Sequence, residues 1–301
     1  MREVILGHAG MVGAAIHRLL PHAETWHRSM DLTRHHIYPS TLTDTQTIYL
    51  CAARVGGIQR NIDEPGSMIY DNLMIQANVI EAARLAGMKL IVFLGSSCIY
   101  PAYQSIGGNS VLKECDLMTG PLEPTNEPYA IAKIAGIKML EAYHRQYGME
   151  YLAVMPCNLY GPGDNFDPQT SHFIPGMIRK FHEAKVSGAE SVTLWGTGTP
   201  RREVMHVDDC ARIIVELVRK GARGLVNVGP GVDFTIKEYA EGIAKWTGYT
   251  GAINFDSSKP DGVMRKLMDV SRMRSYGVQP DISPDEGFPS AYEWFLKNEA
   301  K

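Results

Sequence analysis

The sequence predicts an α/β fold, a doubly wound parallel sheet of the Rossmann type that carries a smaller C-terminal substrate-binding lobe. Three observations predict it. Short apolar runs of buried-strand type alternate with longer stretches of helical periodicity through about the first 160 residues. A glycine-rich turn joins the first such run to the first helix, and after residue 160 the rhythm breaks into shorter elements between Pro, Gly and Asp clusters.

The elements follow in order. Val4-Ile5-Leu6 reads as a buried strand ended by Gly7, and Met11 to Leu20 as a helix with apolar Val12, Ile16, Leu19 and Leu20. Thr47 to Cys51 is a further strand, and Pro65 to Ala86 a helix carrying Ile69, Leu73, Ile80 and Leu85. Leu90 to Leu94 is a strand stopped at Gly95, Glu127 to Tyr147 a long helix with Gly148 as its stop signal, and Leu152 to Met155 a strand closed by Pro156. Strands alternating with helices imply right-handed parallel crossovers. The expected division is a nucleotide-binding domain over 1–160, with a segment near 200–225 returning to it, and a lobe over 161–301 that binds substrate.

Composition narrows the function classes. Apolar residues make up 45% and charged residues 21% of 301, which suits a folded chain and excludes a disordered one. The net charge of −3 is dispersed, so there is no basic footprint for nucleic acid or anionic lipid. No run of about 18 apolar residues suggests a membrane span, and the N-terminus lacks the form of a signal peptide. The five cysteines (51, 98, 115, 157 and 210) are widely spaced without a C-x-x-C pair, which points to reduced thiols and a cytoplasmic location. The histidines show no H-E-x-x-H or comparable spacing, so no metal site is expected.

The turn Gly7-His8-Ala9-Gly10-Met11-Val12-Gly13 has the spacing G-x-x-G-x-x-G between a strand and a helix. Glycines there let the backbone turn sharply and approach a pyrophosphate seated on the helix N-terminus. The second strand is expected to end near Trp26, where sites for NAD place an acidic residue on the ribose. His27 and Arg28 stand there instead and suit a 2′-phosphate, which favours NADP over NAD; a solvated surface arginine is the other reading of Arg28.

Tyr129 and Lys133 lie four apart on the long helix and share one face. An ammonium near a phenol favours the phenolate, making the tyrosine usable in proton transfer; the plain alternative is an exposed i,i+4 pair. Ser96 follows the strand at 90–94, at the carboxyl edge where open α/β sheets bind ligands.

These residues and several longer runs resemble the extended short-chain dehydrogenases, and within them the epimerase/reductases of GDP-4-keto-6-deoxy sugars. The runs are GHAGMVG from Gly7, AARVGGI from Ala52, GSSCIYP from Gly95, EPTNEPYAIAKIAG from Glu123, MPCNLYGPGDNF from Met155, SHFIP from Ser171, WGTGTPRREVMHVDD from Trp195 and KPDGVMRK from Lys259. The resemblance implies an NADP(H)-dependent enzyme that inverts C3 and C5 and reduces C4, working as a homodimer through the 65–86 and 127–147 helices. It implies a reduction triad of Ser96, Tyr129 and Lys133, and Cys98 with His172 as the acid/base pair. Cofactor contacts are implied for Gly7, Gly10, Met11, Val12, Gly13, Arg28, Ala52, Ala53, Tyr129, Lys133, Pro156, Asn158, Leu159 and His172. Asn158, Arg179, Trp195, Arg202 and Lys266 are implied to line the GDP-sugar pocket, with Arg202 and Lys266 neutralising the diphosphate.

Residue chemistry agrees. A C4 ketone acidifies the protons on C3 and C5, and a thiol and an imidazole titrate near enough to neutrality to exchange them. The chain departs from the family at Ala9, where Arg is common, and over Tyr103–Met118, a longer stretch with Gly107-Gly108 inside it. Two other readings are an enzyme for another GDP-4-keto sugar, a colitose or heptose precursor, and a non-catalytic NADP-binding regulator. The regulator would be expected to have lost Ser96, Tyr129 or Lys133, and all three are present.

Overall fold

The computed structural model describes residues 2–26, 30–34, 37, 39–102, 111–259 and 261–300. Its first strands and helices are β1 (Arg2–Leu6), α1 (Met11–Leu19), β2 (Glu24–Thr25), β3 (Thr45–Leu50), α2 (Ile58–Asp63), α3 (Pro65–Leu85), β4 (Leu90–Leu94), α4 (Glu127–Tyr147) and β5 (Glu150–Pro156). Then come β6 (Asn158–Tyr160), α5 (Phe173–Ser187), β7 (Ser191–Trp195), β8 (Arg201–Arg202), β9 (Val204–His206), α6 (Val207–Arg219) and β10 (Gly224–Val228). The chain ends with β11 (Phe234–Thr235), α7 (Ile236–Thr247), β12 (Ala252–Asp256), β13 (Arg265–Lys266), α8 (Ser271–Ser275) and α9 (Pro284–Asn298).

Six strands form one parallel sheet in the order β10-β5-β4-β3-β1-β2. The chain leaves β1 in one direction to reach β2, and later fills the other side with β3. The right-handed crossovers on the two sides therefore lie on opposite faces of the sheet. Helix α1 packs with α6, and α3 with α4. Between β1 and β3 the strand order reverses, which opens a crevice beyond their carboxyl ends where ligands of such sheets bind. The expected α/β doubly wound sheet is present. The second strand is only Glu24–Thr25, and residues 27–29 lie outside the described residues.

Two apolar clusters hold the chain together. The larger lies under the six-stranded sheet and includes Val4, Ile5, Ile48, Ile91, Phe93, Val154 and Val226. The smaller gathers α5, α7 and α9 around Phe166, Phe181, Tyr239, Phe288 and Phe295, with Phe166 stacked on Trp294 at 5.7 Å between ring centroids. Among the described residues three short sheets lie outside the main one: the parallel pairs β7–β12 and β6–β9 and the three-stranded β11-β8-β13.

The α3–α4 crossing is close because Gly136 has no side chain. A Cβ there would stand 2.6 Å from Gln76 Oε1 and 2.9 Å from the Phe93 ring. Gln76 and Phe93 are buried, and the Gln76 amide donates to the Ala132 carbonyl, so neither yields cheaply. Gly136→Ala gains about 1 kcal/mol of helix propensity, but forcing a methyl into a packed core costs about 1–3 kcal/mol. Net destabilisation is expected, read as a lower urea midpoint with an unchanged m-value; a raised midpoint would contradict this account of the crossing.

Candidate active site

The glycine turn is built for close approach. Gly7 has φ +89°, and a Cβ there would fall 2.5 Å from Ala52 N. A Cβ on Gly13 would fall 2.2 Å from Gly7 O, which presses α1 down onto β1. Helix α1 starts at Met11 with no side-chain cap and no acidic residue in its first turn. Its first N–H groups and the positive end of its dipole are thus left to an anion. Val12 packs inward, while Gly10 is exposed. Ala52 and Ala53 follow β3 and are half-buried, with Cys51 N–H bonded to Leu6 O at 2.9 Å. This cradle fits a dinucleotide pyrophosphate. Arg28 lies outside the described residues.

Lys133 is 3% exposed, which rules out the exposed-pair reading. Its ammonium donates to Leu94 O at 2.8 Å and lies 4.8 Å from the Phe93 ring centroid. Burial lowers its pKa to about 8, with the Cys51 sulfur acting the other way. The same helix face carries Tyr129, whose ring centroid is 5.9 Å from that ammonium. The expected shift toward phenolate does not occur. Burial, with the Cys98 sulfur adding to it, holds the phenol above its ordinary value, because the ammonium is committed to the Leu94 carbonyl. Tyr129 is therefore poised as a proton donor.

Beyond Gly95 the chain enters a short helical turn, Ser97–Ile99, capped by Ser96, whose Oγ accepts from Cys98 N at 3.1 Å. Ser96, Cys98, Tyr129 and Lys133 thus converge where β4 meets α4. Pro156 ends β5, and the half-buried Asn158 and Leu159 open β6 directly after it.

The cations come from strand alternation. Lys266 of β13 pairs with Arg202 of β8, and Arg265 with Arg201. Successive side chains point to opposite faces of a strand. Arg201 and Arg265 bind the buried Asp233 at 2.8 and 2.5 Å, and Arg202 and Lys266 face the Cys98 side. Burial pushes the Cys98 thiol up, but the Lys266 ammonium and hydrogen bonds from Ser96 and Lys266 outweigh it, and the net shift is downward. Lys266 therefore serves the thiol, beyond the diphosphate contact expected from sequence. Burial lowers Arg202, with Glu123, Cys98 and Asp261 opposing.

His172 is the exposed N-cap residue of α5 and makes no side-chain cap bond, yet desolvation holds its imidazole below the ordinary value. Arg179, two turns along α5, binds Glu183 at 2.7 Å and Phe166 O at 3.3 Å. Trp195 ends β7 with 70% of its surface exposed, and the Lys259 ammonium lies 5.7 Å from its ring centroid. Among the described residues no group of three or more His, Cys, Asp or Glu could hold a metal ion.

Residues 4–229 match the NAD dependent epimerase/dehydratase family. The chain belongs to that family. The GDP-L-fucose synthase of Escherichia coli strain K12 is 46% identical, over 99% of this chain and 97% of its own length. The GDP-L-fucose synthase 1 of Arabidopsis thaliana is also 46% identical, over 98% of this chain and 93% of its own. The solved structure of GDP-mannoheptose C4 reductase from Campylobacter jejuni with NADP bound matches at TM-score 0.87 and 30% identity, over 98% of both chains.

Three residues of this epimerase/dehydratase site escaped the reading of single residues. The Glu123 carboxylate, bonded by the Thr125 hydroxyl, acts on both Cys98 and Arg202. Cys51, its thiol pushed up to about 12 by burial, faces Lys133. Asp164, raised to about 7 by burial, lies one residue past Gly163, whose Cβ would approach Met11 Cα at 3.8 Å. Glu123 and Asp164 stood within the quoted runs, but only tertiary structure shows the partners of Glu123 and the burial of Asp164.

Lys266→Met removes the cation that holds the Cys98 thiol down. The pH midpoint of Cys98 alkylation by iodoacetamide, followed by peptide mass, is expected to rise by about one unit or more; an unchanged midpoint would break the pairing of these two groups.

Proposed function

We propose that this protein catalyses the NADPH-dependent 3,5-epimerisation and 4-reduction of GDP-4-keto-6-deoxy-D-mannose to GDP-L-fucose. The observation that carries the reading is the Cys98 thiol, lowered by Lys266 and standing in one site with Ser96, Tyr129 and Lys133. A reductase alone needs the last three; a thiol held toward thiolate among them suits proton transfer at carbon. The two GDP-L-fucose synthases at 46% identity support the same reading.

The turn Gly7–Gly13, with Gly10, Met11 and Val12 at the start of α1, would hold the NADPH pyrophosphate. Ala52, Ala53, Pro156, Asn158, Leu159 and His172 would line the cofactor's path, and Arg28 would meet its 2′-phosphate. NADPH when bound supplies the hydride to C4. The Cys98 thiolate takes a proton from a carbon beside the ketone. His172 returns one from the other face, and its desolvation at the start of α5 makes the imidazolium a stronger acid. Tyr129 gives its phenolic proton to O4 while Ser96 hydrogen-bonds that oxygen, and Lys133 fixes the helix face that carries the phenol. Arg202 would hold the diphosphate, Arg179 and Asn158 would orient the sugar nucleotide, and exposed Trp195 would offer the base a stacking face.

We also infer a homodimer and a reducing, cytoplasmic setting. Tyr70 and Leu85 on α3 and Ile131 on α4 are 41–60% exposed, apolar side chains that a second copy would cover. All five cysteines are free. Light scattering is expected to give twice the chain mass, and the monomer mass would refute the dimer.

With GDP-4-keto-6-deoxy-D-mannose, NADPH oxidation and NMR of the product sugar test the function. An L-fucose product is expected, and an uninverted sugar would leave a C4 reductase. Tyr129→Phe is expected to lose reduction by about a hundredfold or more with NADPH affinity nearly intact. Cys98→Ser is expected to slow inversion far more than hydride transfer. Equal losses in both steps would count against a separate role for Cys98.

A further inference from the structure

We infer that Asn227, a fully buried residue of β10, is the positioning residue that holds the Cys98 turn and the Lys266 strand against each other. The inference deepens the proposed function, since it rests on Cys98 as a proton-transfer group.

A side-chain amide offers one acceptor oxygen and two N–H donors. In Asn227 all are used, and on three different segments. Oδ1 accepts from the Tyr100 hydroxyl at 2.6 Å. Nδ2 donates to Leu112 O at 3.0 Å and to Asp269 O at 3.1 Å. The backbone N–H of Asn227 donates to Glu114 Oε1 at 2.9 Å.

The ends of these tethers matter. Tyr100 follows Cys98 by two residues, at the exit of the same short turn, and is 2% exposed. Asp269 follows Lys266 by three. Leu112 joins the second tether twice, taking Asp269 N–H on its carbonyl at 2.8 Å and giving its own N–H to Leu267 O at 2.9 Å. Glu203 anchors the same stretch from another side, its Oε2 accepting Met268 N–H at 3.1 Å. One buried amide therefore links the turn that carries the thiol to the strand that carries its cation.

The chemistry selects asparagine. Aspartate would turn acceptor oxygens toward the Leu112 and Asp269 carbonyls, and leucine would take the amide from the Asp269 carbonyl and the Tyr100 hydroxyl and leave Leu112 O only the Asp269 N–H. A merely structural role would predict lost stability with the thiol unaffected. A positioning role predicts that the thiol moves with it. The charged and titratable groups acting on Cys98 are Lys266 on β13, Arg202 on β8, Glu123 before α4 and Tyr129 on α4. Asn227 is not among them, so any effect it has on the thiol acts through geometry.

The test uses the full chain carrying Cys115→Ser, since Cys115 is an exposed thiol, and reads the pH midpoint of Cys98 alkylation by iodoacetamide. Asn227→Ala is expected to raise that midpoint by about one unit, with NADPH affinity within about threefold of the parent. Combined with Lys266→Met it should add little, because both changes remove the same contact. A folded Asn227→Ala protein with the parent midpoint overturns the inference, and so does a shift that adds fully to that of Lys266→Met. If Asn227→Ala does not fold, Tyr100→Phe deletes a single hydroxyl and is expected to move the midpoint the same way by less; no movement overturns it. The alkylation needs no sugar, so the catalytic reading fails separately, in a parent enzyme that yields uninverted product.

Discussion

The Lys133 ammonium lies almost wholly inside the protein, bonded to the last carbonyl of β4 and set over the Phe93 ring. Burying a charge is expensive unless it is hydrogen-bonded, so this contact fixes where α4 stands against the sheet. Once α4 is placed, Tyr129 lies one turn earlier on the same face, and the chain leaving β4 carries Ser96 and Cys98 past it. Two absent side chains permit the approach. A Cβ on Gly95 would meet Met155 Sδ at 2.5 Å, and one on Gly136 would meet Gln76.

The second organising device is the pair of two-residue strands β8 and β13. Their alternation sends Arg201 and Arg265 to Asp233 and leaves Arg202 and Lys266 for the cleft. Asp233 takes up one pair of cations and leaves the other pair on the side of the Cys98 thiol. The same electrostatics sets the Cys98 thiol and the Tyr129 phenol apart. Cys98 is drawn toward its charged form by Lys266, while burial keeps Tyr129 protonated.

What was legible in the sequence was local. The strand–turn–helix around Gly7 to Gly13, the apolar runs of β1, β3, β4 and β5, and the full span of α4 with its stop at Gly148 follow from periodicity and glycine placement. The neighbours of Lys133 and Lys266 were not legible. Leu94, Phe93 and Cys51 reach Lys133 through sheet order, and Lys266 reaches Cys98 through strands too short to show any period. The phenolate expectation for Tyr129 failed for that reason. Spacing four apart puts two residues on one helix face, but says nothing about a carbonyl competing for the ammonium. Asn227 carried no signal of its own, since its partners come from three distant segments.

The central claim is that the thiol beside Lys266 exchanges protons at the carbons flanking a ketone. Turnover of GDP-4-keto-6-deoxy-D-mannose with NADPH in deuterated water, followed by NMR of the product, tests it most directly. The account predicts an inverted sugar carrying solvent deuterium at both C3 and C5. Turnover to a reduced sugar that retains its original hydrogens at both carbons would contradict it.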